Sequence, residues 1–261
     1  MSEQRKNILG FLFFLLIISA LFFLAFFPAS RMNEEKVEQI KIEGNYLLEQ
    51  YDYLAFVKLE NKEDYRSIQL SVIKDRFQKH PYVESADVRF ENKNIVKVFL
   101  TEKKIIGLIV EDLETYFLSE SSRIFPVVSH TKFIELPVIT NPPLFMKRRK
   151  DNYGDITQAI KIINAAELTN SELYKELSEI NLRNGGDVVL TFNSLRLPVI
   201  FGRGDEARKM VYLESILNNK FQKDQLNSSG SYLDLRFTNR IFIGNSENFG
   251  NSTFVKTGSY Q

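Results

Sequence analysis

Hydrophobic and polar positions divide this chain into three regimes. The segment 8–27, ILGFLFFLLIISALFFLAFF, starts at Ile8 and ends at Phe27 without a charge, an amide or a proline. At roughly 1.5 Å of rise per residue, a helix of that length spans a hydrocarbon core about 30 Å thick. A membrane anchor is predicted rather than a cleaved signal peptide, whose apolar region would cover about 7 to 15 residues and end on small side chains. Here the bulky Phe27 stands where a small residue would be needed for cleavage after Ala29. Arg5 and Lys6 precede the run and Arg31, Lys36 and Lys41 follow it, so the positive-inside count leaves the orientation open. Long domains are exported largely regardless of such charges. Residues 1–7 are therefore placed in the cytoplasm, 28–36 in a polar linker, and the rest outside.

From 37 to 103 the period changes. Residues 37–43 alternate, with Val37, Gln39, Lys41 and Glu43 on one side and Ile40 and Ile42 on the other, and Gly44-Asn45 ends the strand. Residues 46–57, rich in Leu, Tyr and Phe without alternation, predict a short helix. A second helix runs from a cap at Ser67 to His80, with Leu70, Ile73 and Phe77 on one face and Pro81 as its stop. Ala86, Val88 and Phe90, then Val96, Val98 and Leu100, alternate on either side of Asn92-Lys93-Asn94, which predicts a hairpin. The order β-α-α-β-β makes a small α+β domain.

Residues 104–244 predict a second α+β domain built on a mainly antiparallel sheet. Short apolar strands are expected at 105–110, 114–118, 124–128 and 136–140. They precede an amphipathic helix at 155–168 that turns Ile156, Ile160 and Ile163 inward and is closed by Thr169-Asn170. A hairpin joins 179–183 to 188–192 through Asn184, Gly185, Gly186 and Asp187, the glycines supplying positive φ. A strand at 195–201, the turn Gly202-Arg203-Gly204-Asp205 and a helix at 206–221 follow, with Asp205 as N-cap and Ala207, Met210, Val211 and Leu217 inward. Residues 223–230 predict a polar loop, 231–237 a strand and 240–244 either its continuation or a hairpin return. The last segment, 245–261, holds Asn, Ser, Gly and Thr without periodicity and is expected to be disordered.

Composition removes several function classes. With 34 Lys+Arg against 33 Asp+Glu there is no global field for nucleic acid. Without cysteine there is no disulfide, thiol nucleophile or thiolate site, so stability rests on packing, to which 22 Phe and 11 Tyr contribute. The two histidines, His80 before a proline and His130 in a polar stretch, stand in no metal or triad pattern, and no catalytic residue, metal or cofactor is expected. Gly202-x-Gly204-x-x-Ala207 loosely matches a dinucleotide fingerprint, yet no strand ending in an acid follows about twenty residues on, so a tight turn is the reading. The basic run from Lys147 through Arg148 and Arg149 to Lys150 reads as a solvated loop.

The element order, with IKIEGN (40–45) and LSVIKDRFQKHPYVESADVRF (70–90), resembles a POTRA domain, the polypeptide-binding module. One short tail, one anchor and one POTRA-like unit, followed by YFLSESSRIFPV, ELPVIT, a GRGD turn and YLDLRF, resemble the FtsQ/DivIB family of bacterial division proteins. That resemblance implies a septal scaffold that docks FtsB by strand addition, with FtsL as a further partner.

The final strand carries that expectation. Leu233, Leu235 and Phe237 alternate with Tyr232, Asp234 and Arg236, predicting one buried face, one open face and a sheet edge available to another chain. By resemblance the family's binding positions fall on Arg236, Phe237, Asn239 and Arg240; the last two stand where a Ser-Gly pair is usual, and Asn245 where the family has a tryptophan. Tyr232, Asp234, Arg236, Phe237, Asn239 and Arg240 are the candidate partner-binding residues. A second reading, a POTRA module for polypeptide transport or chaperoning, is disfavoured because no alternating barrel strands follow.

Overall fold

The structure, a computed structural model, describes residues 3–26, 37–111, 113–142, 153–229, 231–237 and 240–244. Phe27, the linker 28–36, the basic run 147–150, Asn239 and the segment 245–261 lie outside them. Helix α1 (Glu3–Phe26) contains Ile8 and has exposed apolar side chains at Phe11, Phe14, Leu16 and Phe22. Its described side chains cover 10–23, and among the described residues no helix is long and apolar enough to cross a membrane.

Two compact units follow from the contacts. One comprises Met1–Gly44, Gln50–Gln78 and Ala86–Leu100; the other comprises Asn45–Glu49, Lys79–Ser85 and Thr101–Gln261. The first is built from β1 (Gln39–Glu43), α2 (Gln50–Phe56), α3 (Lys62–Tyr65), α4 (Leu70–Gln78), β2 (Val83–Phe90) and β3 (Ile95–Glu102), with strand order β1-β3-β2. β1 runs parallel to β3, pairing Ile40 with Val96 and Ile42 with Val98, and all four are buried. Burying this alternating stripe with Tyr53, Ile73 and Phe77 supplies the apolar core, each large side chain worth about 1.5–3 kcal/mol. Gly44 ends β1 at φ 83, where a Cβ would meet the Leu100 carbonyl oxygen at 2.1 Å, so only glycine fits. The second predicted helix begins later than Ser67, because α3 comes first and Arg66 and Ile68 still donate back into its turn, to the Lys62 and Tyr65 carbonyls.

The second unit holds a nine-stranded sheet of β4 (Ile105–Glu111), β5 (Glu114–Ser119), β6 (Ile124–Pro126), β7 (Val138–Thr140), β8 (Leu177–Asn181), β9 (Val189–Phe192), β10 (Val199–Ile200), β11 (Tyr232–Asp234) and β12 (Phe242–Gly244). Their order is β12-β11-β10-β9-β8-β7-β4-β5-β6. The sheet is mixed: β4-β7, β7-β8 and β10-β11 are parallel and the other pairings antiparallel. Parallel neighbours require crossovers, which helices supply in two of the three cases. Helices α5 (Tyr153–Thr169) and α6 (Ser171–Glu176) connect β7 to β8, while α7 (Glu206–Asn218) and α8 (Lys220–Ser229) connect β10 to β11. Ile156, Ile162 and Ile163 of α5 and Met210 and Leu213 of α7 share one core with Ile109, Ile139, Ile180, Leu190, Val199 and Leu233 of the sheet.

Several local expectations are corrected. Thr169 and Asn170 do close α5, Thr169 Oγ1 donating to the Ala165 carbonyl at 2.7 Å and the Asn170 amide to the Ala166 carbonyl at 3.0 Å, but Asn170 also serves the next helix, its Oδ1 accepting the Glu172 amide at 2.9 Å as the N-cap of α6. The expected loop at 223–230 lies largely within α8, a polar helix held by the buried Leu226. In α7 the inward face is Lys209, Met210 and Leu213, while Ala207 and Val211 are exposed. Between β8 and β9, Gly185 takes the positive φ with Arg183 and Asn184, whereas Gly186 keeps a negative one.

Candidate functional site

Strands β11 and β12 bring the sequence-predicted residues to one end of the sheet. β11 is not the edge: it pairs with β10 on one side and β12 on the other, so the terminal strand is the return, β12. The expectation of an open face at Tyr232 and Asp234 is therefore corrected. Tyr232 is 8% exposed and Asp234 1%. Tyr232 lies opposite Gly244, and a Cβ on that glycine would come within 2.1 Å of the ring, so the phenol covers the bare backbone of β12. Asp234 is covered by Arg236.

The Arg236 guanidinium holds two aspartates. Nε donates to Asp234 Oδ1 at 3.0 Å and Nη2 to Asp234 Oδ2 at 2.7 Å, a fork-to-fork pair, while Nη1 donates to Asp187 Oδ2 at 2.6 Å. The Arg236 amide also donates to Asp234 Oδ1 at 3.0 Å. Hydrogen bonds to Asp234, reinforced by Asp187, raise the arginine above its ordinary pKa despite the desolvation that opposes them, so it is a fixed cation.

Beneath this cluster lies the turn 202–205, with Gly202 and Gly204 at positive φ. Asp205 itself is left-handed, φ 57, and makes no side-chain cap, contrary to expectation; the Glu206 carboxylate accepts the Gly204 amide at 2.9 Å instead. Burial pushes the Glu206 carboxyl up, but hydrogen bonds from Gln158 and that amide outweigh it and hold it below the usual value. Arg203 bridges outward, with Nη1 2.5 Å from Asp155 Oδ1 and Nε donating to the Gly186 carbonyl at 3.1 Å. Lys209, 6% exposed, donates to the Phe201 carbonyl at 2.8 Å; burial lowers its pKa, partly offset by Glu206 and Asp205. Lys209 and Asp187 were not singled out from sequence. The signal for Lys209 was its place beside Met210, one turn before Leu213; Asp187, in a turn, offered none.

Past Arg236 the chain leaves the sheet and exposes Phe237, at 41%. Its ring meets Phe242 of β12 edge to face, centroids 4.8 Å apart, a geometry worth about 0.5–1.5 kcal/mol. Arg240 is exposed, its amide 3.5 Å from the Phe237 carbonyl oxygen. Asn239 lies outside the described residues. The site is thus a short terminal strand, an aromatic pair at its start and an exposed cation, Arg240, beside them, over a frame of paired charges. Among the described residues no group of three or more His, Cys, Asp or Glu could hold a metal ion.

Comparison with known proteins agrees over both units. Residues 35–103 match the POTRA domain, FtsQ-type, and residues 108–236 match Cell division protein FtsQ/DivIB, C-terminal. Cell division protein FtsQ of Syntrophotalea carbinolica is 23% identical over 212 residues, covering 80% of this chain and 73% of the relative. The protein of the same name from Geotalea daltonii is 23% identical over 212 residues, 80% of this chain and 75% of its own length. With both characteristic domains present in order along the chain, it belongs to the FtsQ/DivIB family of cell division proteins.

Proposed function

We propose that this chain is a non-catalytic scaffold of the bacterial divisome, anchored in the cytoplasmic membrane by a single helix at 8–27 and acting outside the cytoplasm at the division septum. The observation that carries the reading is the position of β12. It is the terminal strand of the sheet, with a neighbour only on its β11 side among the described residues, and Phe237 and Phe242 stand at its start. A terminal strand offers backbone donors and acceptors to an incoming strand, and an adjacent aromatic supplies the anchor. The family resemblance makes FtsB the docking partner, with FtsL associated.

The anchor is supported by the all-round apolar surface of α1, where Phe11, Leu12, Phe13, Phe14, Leu15 and Leu16 are 52–66% exposed. A helix apolar on every side needs cover from lipid or protein. The proposed layout is a cytoplasmic tail at 1–7, the span at 8–27, a linker at 28–36, the POTRA domain at 37–103, the docking domain at 104–244 and a tail at 245–261.

Replacing Phe237 with Ala tests the docking edge. Capture of FtsB by the full chain should weaken by roughly 1–3 kcal/mol while the melting temperature holds, because the side chain is an interface anchor rather than core. Normal capture with a lowered melting temperature would overturn the reading.

A further inference from the structure

Within the second unit, α6, α7, α8 and the turn between β9 and β10 converge on a cavity of about 150 Å³. At roughly 30 Å³ per water, it has room for a small organic molecule rather than a single ion. Leu173 of α6 and Leu217 of α7 form apolar wall, while Glu176, Glu214, Asn218 and Lys223 supply charge and hydrogen bonding. Two of the carboxylates are held by neutral donors. Glu214 Oε1 accepts Asn170 Nδ2 at 2.8 Å, and Glu176 Oε2 accepts the Ser194 amide at 2.9 Å. Asn170 is itself fixed, because its Oδ1 caps α6 through the Glu172 amide. These contacts aim both carboxylates and neutralise neither, and each leaves a second oxygen with no hydrogen bond from the described residues. Glu172, also on the wall, is already paired with Lys175 at 2.8 Å. Lys223 is the one cation among the lining residues, and it makes no ion pair with another described residue. The cavity thus presents two uncompensated negative charges and one positive charge, on groups that three helices hold in place. A metal ion does not suit them, since no three acids among the described residues are grouped so as to hold one. A molecule that meets the two carboxylates with separate cations does.

We infer that this cavity binds a free basic amino acid, with its α-ammonium and side-chain cation on Glu176 and Glu214 and its carboxylate on Lys223. Two cations and one anion cancel the charge of the walls. A plain diamine would leave Lys223 facing cations, and a neutral amino acid would leave one carboxylate without a partner. Each contact is a charge-assisted hydrogen bond, the stronger kind, and a few such groups in a cleft fix a ligand's orientation. The methylene stem of the ligand lies along Leu173 and Leu217, as the apolar part of a long cationic side chain does. The site uses no residue of β12 and stands apart from the docking edge.

Isothermal titration calorimetry of the full chain in detergent, with L-lysine as the probe, tests the inference. L-lysine should bind at one site per chain. Norleucine, N-α-acetyl-lysine and cadaverine each lack one of its three charges, and each should bind at least roughly tenfold more weakly, the loss expected for one charge-assisted hydrogen bond. N-α-acetyl-lysine also stands for the terminal lysine of a peptide, so binding as tight as that of L-lysine would assign the cavity to a peptide end and overturn the inference. Glu214→Gln keeps an oxygen that can accept the Asn170 amide, so its melting temperature should hold while its affinity for L-lysine falls roughly tenfold. Lys223→Met should behave in the same way. Absence of L-lysine binding by the unaltered chain, cadaverine binding as tightly as L-lysine, or undiminished binding by Glu214→Gln overturns the inference, and each leaves the docking edge standing.

Discussion

Gly202 and Arg236 pack so closely that a Cβ built on the glycine would stand 2.7 Å from the arginine Cγ. The contact locks the turn before α7 against the end of β11, two segments more than thirty residues apart. Gly202 also sits at φ 67, a conformation that L side chains resist. Gly202→Ala is therefore expected to destabilise the second unit by about 1–3 kcal/mol, through left-handed strain and displacement of Arg236. A lowered urea midpoint with an unchanged slope checks it; an unchanged midpoint would show that the turn yields freely.

The two aspartates on Arg236 should differ in cost. Asp234 is 1% exposed, so Asp234→Asn removes the charge partner of a half-buried guanidinium and should cost about 2–4 kcal/mol. Asp187 is 44% exposed, and Asp187→Asn should cost under about 1 kcal/mol because water replaces what is lost. Denaturant titration of the two variants side by side measures the ratio.

His80 makes stability depend on pH in a defined direction. Its ring is 1% exposed, Nδ1 accepts the Tyr82 amide at 3.1 Å, and the ring meets Tyr82 edge on at 5.3 Å. Burial, aided by the Lys103 ammonium, pushes its pKa down from 6.5 to about 4. The unfolded chain then binds more protons than the folded one between those values. The contribution to stability is complete above about pH 6.5 and drains away as pH falls toward 4, by at most about 1.4 kcal/mol per pH unit. An NMR titration of the His80 ring in the folded chain should show a midpoint near 4; a midpoint near 6.5 would contradict the burial argument.

What the sequence made legible was periodicity over long enough runs. Ile40 and Ile42, Val96 and Val98, and Ile156 and Ile163 occupy core positions as their spacing predicts. Short or polar helices escaped: α6 has six residues, and α8 has Leu226 buried in a stretch rich in Lys, Gln, Asn and Ser, a composition that also fits a loop. The candidate site was half legible. Alternation in 231–237 placed Leu233 and Leu235 inward correctly, but it also sent Asp234 to solvent and Phe237 to the core. Both assignments fail for physical reasons a period-two pattern does not contain. Asp234 is covered by a guanidinium folded back from two positions on, and Asp187 joins it from 49 residues away. The strand ends at Asp234, so the alternation no longer governs Phe237.

The anchor makes a prediction independent of the docking edge. Full-length chain should stay with the membrane fraction after high-salt and alkaline washing and leave it only with detergent. Recovery of intact chain in the soluble fraction would remove the anchor and with it the proposed location.

The most direct measurement of docking is amide hydrogen exchange along residues 240–244, with and without the extracytoplasmic part of FtsB at saturating concentration. Strand addition to β12 puts new backbone hydrogen bonds on that strand, so its exchange should slow on binding while β5 and β6, at the far end of the sheet, stay unchanged. Saturated binding with unaltered exchange over 240–244 would place the partner elsewhere and contradict the docking edge.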